Sequence, residues 1–128
     1  MPPLRIQFVG NLFVDLSHEH FSKFVRPNRS LYLALLGNIG SPFSQRTHEF
    51  LDYCTQRWDR VFWIAGPHEL GYFPNTLPHR TFRDNMDCME SKSEKWKNLS
   101  ILNQTAVRIN GLQLLGTTLW TPVNPYRV

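Results

Sequence analysis

The sequence predicts an α/β protein built on a parallel sheet. Two short apolar runs, at residues 31–36 and 61–65, indicate buried strands, and residues 4–9, which alternate and then become apolar, suit a first strand. Segments with helical spacing separate these runs. Such alternation of strand and helix favours a parallel sheet. With 128 residues and no internal repeat, the chain is expected to form a single domain over residues 1–128.

The first half of the chain is predicted to run strand, helix, strand, helix, strand. Gly10 and Asn11 close the first strand, and Ser17 could cap a helix over residues 18–25. After the second strand, Ser44 or Thr47 is expected to begin a helix that runs to about Arg57. Its apolar residues fall on one face, as an amphipathic helix requires.

The second half offers weaker signals. Residues 72–88 have no clear period and are predicted to form a long loop. A basic cluster there could meet an anion or could simply be solvated: His79, Arg80 and Arg83. Residues 91–97 suit a short helix containing Trp96. Three short strands are expected to follow, at 100–102, 107–109 and 112–115, with Asn110-Gly111 as the turn of a hairpin.

Composition excludes several classes of function. The net charge of +4 comes without a run of like charges, so the composition does not call for a nucleic-acid partner, and none is expected. Cys54 and Cys88 lack the spacing of a metal pair and are expected to be free thiols in a reducing compartment. No segment approaches 18 continuous apolar residues, as a membrane helix would require. We therefore expect a soluble, cytoplasmic protein.

The third predicted strand leads directly into His68 and Glu69. Chemistry in open α/β sheets sits beyond the carboxyl ends of the strands. A histidine beside a carboxylate in that position is a candidate acid–base group, whereas the alternative is a solvated loop histidine.

The three strand ends read Gly10-Asn11-Leu12-Phe13, then Gly37-Asn38, then Gly66-Pro67-His68-Glu69. In this arrangement the chain resembles the calcineurin-like metallophosphoesterases, whose patterns are Asp-x-His, Gly-Asp and Gly-Asn-His-(Asp/Glu). The resemblance implies mixed β-sheets packed face to face and flanked by helices. It also implies hydrolysis of phosphoesters with two divalent metal ions, such as manganese, iron or zinc.

This chain departs from the family pattern at each local ligand position. Asn11 replaces the first aspartate and Phe13 the histidine, while Asn38 replaces the bridging aspartate. Pro67 stands where the family has asparagine. His68 and Glu69 remain, and the resemblance makes His68 a contact for the phosphate rather than a metal ligand. Neutral amides bind hard dications weakly, so no metal cofactor is expected.

A second departure concerns the downstream half of the pattern. The family's remaining metal histidines lie in Gly-His motifs beyond the hairpin, and this sequence ends at Val128 before any such motif. We therefore expect a truncated domain that is incomplete at its carboxyl end. Residues 112–120 should then lie near an unpaired sheet edge, through which the chain would self-associate or bind a partner protein.

Two readings of function follow. The first is a catalytically degenerate relative, a pseudoenzyme that acts as a binding module or survives as a remnant. The alternative is an active phosphoesterase whose metal ligands are unusual or supplied by a partner. A third hypothesis, which no residue spacing supports, is a basic protein that binds nucleic acid. It would use five basic residues: Arg80, Arg83, Lys92, Lys95 and Lys97.

Overall fold

The computed structural model describes residues 3–71 and 80–119. Four parallel strands form one sheet in the order in which they occur along the chain: β1 (Ile6–Val9), β2 (Tyr32–Leu36), β3 (Arg60–Ile64) and β4 (Leu99–Ile101). The α/β class and the three predicted strands of the first half are thus confirmed. The strand predicted at 100–102 is β4, displaced by one residue.

Two helices cover one face of this sheet. Helix α1 (Gln45–Arg57) begins after Ser44, whose side chain accepts a hydrogen bond from the Arg46 backbone N–H, as the sequence predicted. Helix α2 (Phe82–Lys95) connects β3 to β4. Between helices and sheet lies the main core, in which the largest fully buried side chains include Trp63, Phe50, Leu33, Leu35, Leu51 and Met89.

The opposite face of the sheet carries the hairpin of β5 (Thr105–Ile109) and β6 (Leu112–Gly116). Asn110 and Gly111 form its turn with φ angles of 48° and 80°, and a tight two-residue hairpin turn of this kind needs positive φ at both positions. The predicted hairpin is therefore confirmed. A second apolar cluster centred on Phe62 joins the hairpin to the sheet.

The helix predicted over residues 18–25 is wrong. This region holds only a 3-10 turn, Phe21–Lys23, and another 3-10 turn, Val14–Leu16, precedes it. The Arg46 side chain provides the reason, because its Nε donates to the Ser17 carbonyl at 2.9 Å. An α-helix capped at Ser17 would need that carbonyl for its own first hydrogen bond.

The long loop predicted over residues 72–88 is also corrected. Residues 72–79 lie outside the described part of the chain, but residues 82–88 form the first half of α2. Thr81 and Asp84 start this helix with a reciprocal capping box, in which each side chain accepts from the other's backbone N–H. The short helix predicted at 91–97 is the end of the same helix, and Trp96 is its C-cap.

Neither α-helix of the described residues combines the length and the apolar character that a membrane crossing requires.

Candidate functional site

The loops that follow β1 and β2 run side by side as an extension of the sheet. The backbone N–H of Asn11 donates to Gly37 at 3.0 Å, and that of Phe13 donates to Asn38 at 3.0 Å. The N–H of Val14 then donates to the Ile39 carbonyl at 2.8 Å. Main-chain hydrogen bonds therefore hold the loops after β1 and β2 together without any contribution from side chains.

The Asn38 side chain joins all three loops. Its Nδ2 donates to Asn11 Oδ1 at 2.9 Å, and its Oδ1 accepts from the His68 backbone N–H at 2.9 Å. Gly66 permits this approach, since a Cβ at that position would lie 2.6 Å from the Asn38 nitrogen. Asn11, Asn38 and His68 thus converge at the carboxyl ends of adjacent strands.

Three non-glycine residues of these loops adopt the left-handed region. The φ angles are 56° for Asn11, 49° for Phe13 and 53° for Asn38. Asparagine tolerates this region, whereas a bulky residue such as phenylalanine is strained there. Strained backbone of this kind persists only where surrounding contacts fix it, and it is concentrated at functional sites.

His68 lies against Asp15, a residue of the first 3-10 turn. The imidazole Nε2 is 2.8 Å from Asp15 Oδ2 and 3.0 Å from Oδ1. Asp15 also accepts from the Ser41 backbone N–H at 3.0 Å, and the two paired side chains are only 8% and 9% exposed. The Phe13 ring meets the imidazole edge-on with ring centres 5.1 Å apart. A substrate therefore cannot reach Nε2 without displacing Asp15.

The pair shifts both pKa values in the direction of charge. The hydrogen bond to Asp15 raises the pKa of His68, against the opposing effect of burial. Burial acts to raise the pKa of Asp15, but hydrogen bonds from His68 and the Ser41 N–H outweigh it, so that pKa is lowered. Both shifts favour the charged forms, imidazolium and carboxylate, in this pair.

Glu69 is a fully buried carboxyl group beside this pair. Its oxygens accept from the backbone N–H groups of Ile39 and Gly66, both at 3.1 Å. Burial nevertheless dominates and raises the pKa of Glu69 to about 7. The side chain therefore joins the loop after β2 to the loop after β3.

The residues at the ligand positions do not fit a pair of divalent metal ions. The amides of Asn11 and Asn38 are bonded to each other, and the side chains of Phe13 and Pro67 have no donor atom. Within residues 3–71 and 80–119, no three His, Cys, Asp or Glu side chains are grouped as a metal site would need. A cleft of about 300 Å³ beside Asn38 and Pro67 is lined mainly by backbone and apolar groups.

Sequence reasoning missed Asp15 as the partner of His68. The two residues are 53 positions apart, and no spacing pattern connects them. Of the predicted basic cluster, His79 lies outside the described residues, and Arg80 stacks its guanidinium on the Phe43 ring at 3.7 Å. Arg83 is exposed near the start of α2. Neither arginine joins the site at the strand ends.

Comparison with known proteins adds one relative. The chain is 29% identical over 98 residues to an uncharacterized protein of Acanthamoeba polyphaga mimivirus. The match covers 77% of this chain and 34% of the viral protein, so the chain spans about a third of that relative's length. No family model matches the chain, and no solved structure matches it significantly.

Proposed function

We propose that this chain is a catalytically degenerate relative of the calcineurin-like metallophosphoesterases and acts as a binding module. The hydrogen bond between Asn38 Nδ2 and Asn11 Oδ1 carries this proposal. Two neutral amides satisfy each other at the positions where the family places carboxylates. Two dications about 4 Å apart repel strongly, and such a site needs negative charge to hold them.

The arrangement of layers supports the proposed ancestry. Helices cover one face of the parallel sheet and a hairpin covers the other, so that strands pack against strands across the Phe62 cluster. The three motif-bearing loops meet at one edge of the sheet. This edge is also where ligands bind in open α/β sheets.

The proposed ancestry predicts that the protein neither binds a catalytic metal pair nor hydrolyses phosphoesters. We expect elemental analysis after incubation with manganese to find well under one ion per chain, and p-nitrophenyl phosphate to remain intact. Two equivalents of metal, or metal-dependent turnover that disappears in His68→Ala, would instead favour the alternative of an active phosphoesterase.

The quadruple variant Asn11→Asp, Phe13→His, Asn38→Asp and Pro67→Asn serves as the matched positive control. Without metal, it should be less stable than the wild type, because like charges at 4 Å repel by about 4 kcal/mol at an effective dielectric of 20. Added manganese should raise its melting temperature and leave that of the wild type unchanged. A variant that ignores manganese would count against the proposed ancestry of these positions.

The binding role is supported by apolar side chains around the hairpin. Leu115 is 74% exposed and Leu119 is 88% exposed. Among the described residues, β6 pairs only with β5, so its outer edge carries unpaired backbone groups. An exposed strand edge with apolar neighbours favours pairing with another chain.

We therefore predict that the isolated chain self-associates through β6. Analytical ultracentrifugation should show a mass that rises with concentration, and Leu115→Lys should shift the protein towards monomer. Leu16→Lys is the matched control, since Leu16 is equally exposed at 72% but lies in the first 3-10 turn. A wild-type monomer at high concentration that binds no hydrophobic dye would rule this interface out.

A further inference from the structure

A cluster of basic side chains lies between the two helices, away from the strand ends. Its basic members are His48 on α1 and Lys92 and Lys95 on α2. The aromatic ring of Trp96, at the end of α2, lies beside them. The Lys92 ammonium is 3.2 Å from His48 Nδ1, and the Lys95 ammonium is 2.9 Å from His48 Nε2. The Trp96 ring packs on the imidazole with ring centres 4.8 Å apart. We call this group the His48 cluster.

The His48 cluster has more hydrogen-bond donors than acceptors. A neutral imidazole has one acceptor nitrogen and one N–H, whereas both of its nitrogens face a lysine ammonium. One of the two contacts therefore places a donor against a donor. If His48 were protonated, both contacts would place a donor against a donor. The arrangement has a surplus of N–H donors and too few acceptors.

Nearby carboxylates do not remove this surplus. Asp52 and Glu49 are the acidic groups that act on His48, while Lys92 and Lys95 act on it from α2. Asp52 accepts from Trp96 Nε1 at 3.2 Å and from Gln56 Nε2 at 3.0 Å, so its oxygens are already engaged. Among the described residues, no carboxylate lies within ion-pair distance of Lys92 or Lys95.

We propose that the His48 cluster binds the oxyanion of a phosphate group, which replaces the imidazole nitrogens as the acceptor for Lys92 and Lys95 and also accepts from a His48 N–H. Residues three apart on a helix lie on the same face, with Cβ atoms about 5–6 Å apart, so one anion can reach both ammonium groups. A phosphate dianion carries enough oxygens for three donors, and charge-assisted hydrogen bonds of this kind are the strong ones. This site is separate from the loops at the strand ends.

Binding at this site is coupled to protonation of His48. In the free protein, burial and the charges of Lys92 and Lys95 lower the pKa of His48. An anion bound by the two lysines reverses that effect, and a protonated imidazole then donates to it. Affinity for the anion should consequently rise as the pH falls.

Isothermal titration of the full chain with inorganic phosphate tests the site directly. The variant Lys92→Gln/Lys95→Gln should weaken binding by about tenfold or more, as expected for the loss of two charged donors. Lys97→Gln is the control, because it removes the same charge from an exposed residue just beyond α2. Absence of saturable binding, or equal weakening per charge removed in the control, would overturn the proposal.

Two further probes separate the source of the phosphate and the role of His48. Phenyl phosphate should bind more tightly than inorganic phosphate if the ligand is an aromatic ester that contacts Trp96, and equally well if the ligand is free phosphate.

Sulfate tests the role of His48. It stays a dianion from pH 5 to pH 8, so any change in its affinity over this range comes from the protein. His48→Asn should abolish that change, and persistence of the same pH dependence in this variant would exclude the proposed coupling.

Discussion

The variant Glu69→Gln should lose much of the pH dependence of folding that the wild type shows between pH 4.5 and pH 8. The pKa of Glu69 rises from its ordinary value of 4.5 to about 7 in the folded protein, because the carboxyl group is buried. A raised pKa gives stability that is fully present below pH 4.5 and is lost as the pH rises through 7. The loss amounts to about 3 kcal/mol, at about 1.4 kcal/mol per unit.

Urea unfolding at pH 5, 6, 7 and 8 measures this effect. Glutamine keeps an acceptor for the Ile39 and Gly66 N–H groups but carries no charge, so its own fit adds an offset that does not vary with pH. The difference in unfolding free energy between variant and wild type should move by about 3 kcal/mol in favour of the variant at high pH. Glu90→Gln, at an exposed residue of α2, should show no such movement. Parallel pH profiles for Glu69→Gln and wild type would contradict the assignment.

The variant Asp15→Ala should destabilise the protein by about 3 kcal/mol near pH 6, because it removes the carboxylate that binds His68 Nε2 and accepts from the Ser41 N–H. The lowered pKa of Asp15 makes its contribution present above its ordinary value of 3.8 and lost below it. The raised pKa of His68 makes the contribution of the imidazole present below 6.5 and lost as the pH rises through the raised value. The penalty should therefore be largest between these limits and smaller at pH 9.

Two measurements identify the ion pair as the cause. Urea unfolding of Asp15→Ala should show the loss, while Asp59→Ala, at an exposed aspartate before β3, should stay within about 0.5 kcal/mol of the wild type. Titration of the His68 ring protons by NMR should show a lower pKa in Asp15→Ala than in the wild type. An unchanged His68 pKa would mean that Asp15 acts through Ser41 alone.

The strand framework could be predicted from the sequence because its signals are local. Each of the first three strands is short and followed by a glycine, and the Asn110-Gly111 turn can adopt positive φ at both positions. The meeting of Asn11, Asn38 and His68 followed from the geometry of parallel strands, whose carboxyl ends share one edge. The parallel topology was therefore enough to predict that these three residues, which are distant in the sequence, lie together.

The errors occurred where the deciding contact was distant or was overlooked. Arg46 displaced the helix expected after Ser17 by taking the carbonyl that the helix needed, and no local pattern reveals such competition. Helix α2 was different, since Thr81 and Asp84 already carried a readable capping box in the sequence. The Asp15–His68 contact spans 53 positions and depends on the 3-10 turn that places Asp15, so the site's main ion pair could not be predicted.

The backbone ladder between residues 11–14 and 37–39 holds the first two loops of this site together without any side chain. The hydrogen bonds of Asn11, Phe13 and Val14 to the second loop use main-chain atoms only. The side chains of these two loops can therefore change while the two loops keep their relative positions, provided that the new residue tolerates positive φ, whereas the loop after β3 depends on the side chains of Asn38 and Glu69. Evolution or a protein designer can therefore replace the functional groups on the loops after β1 and β2 without changing the fold.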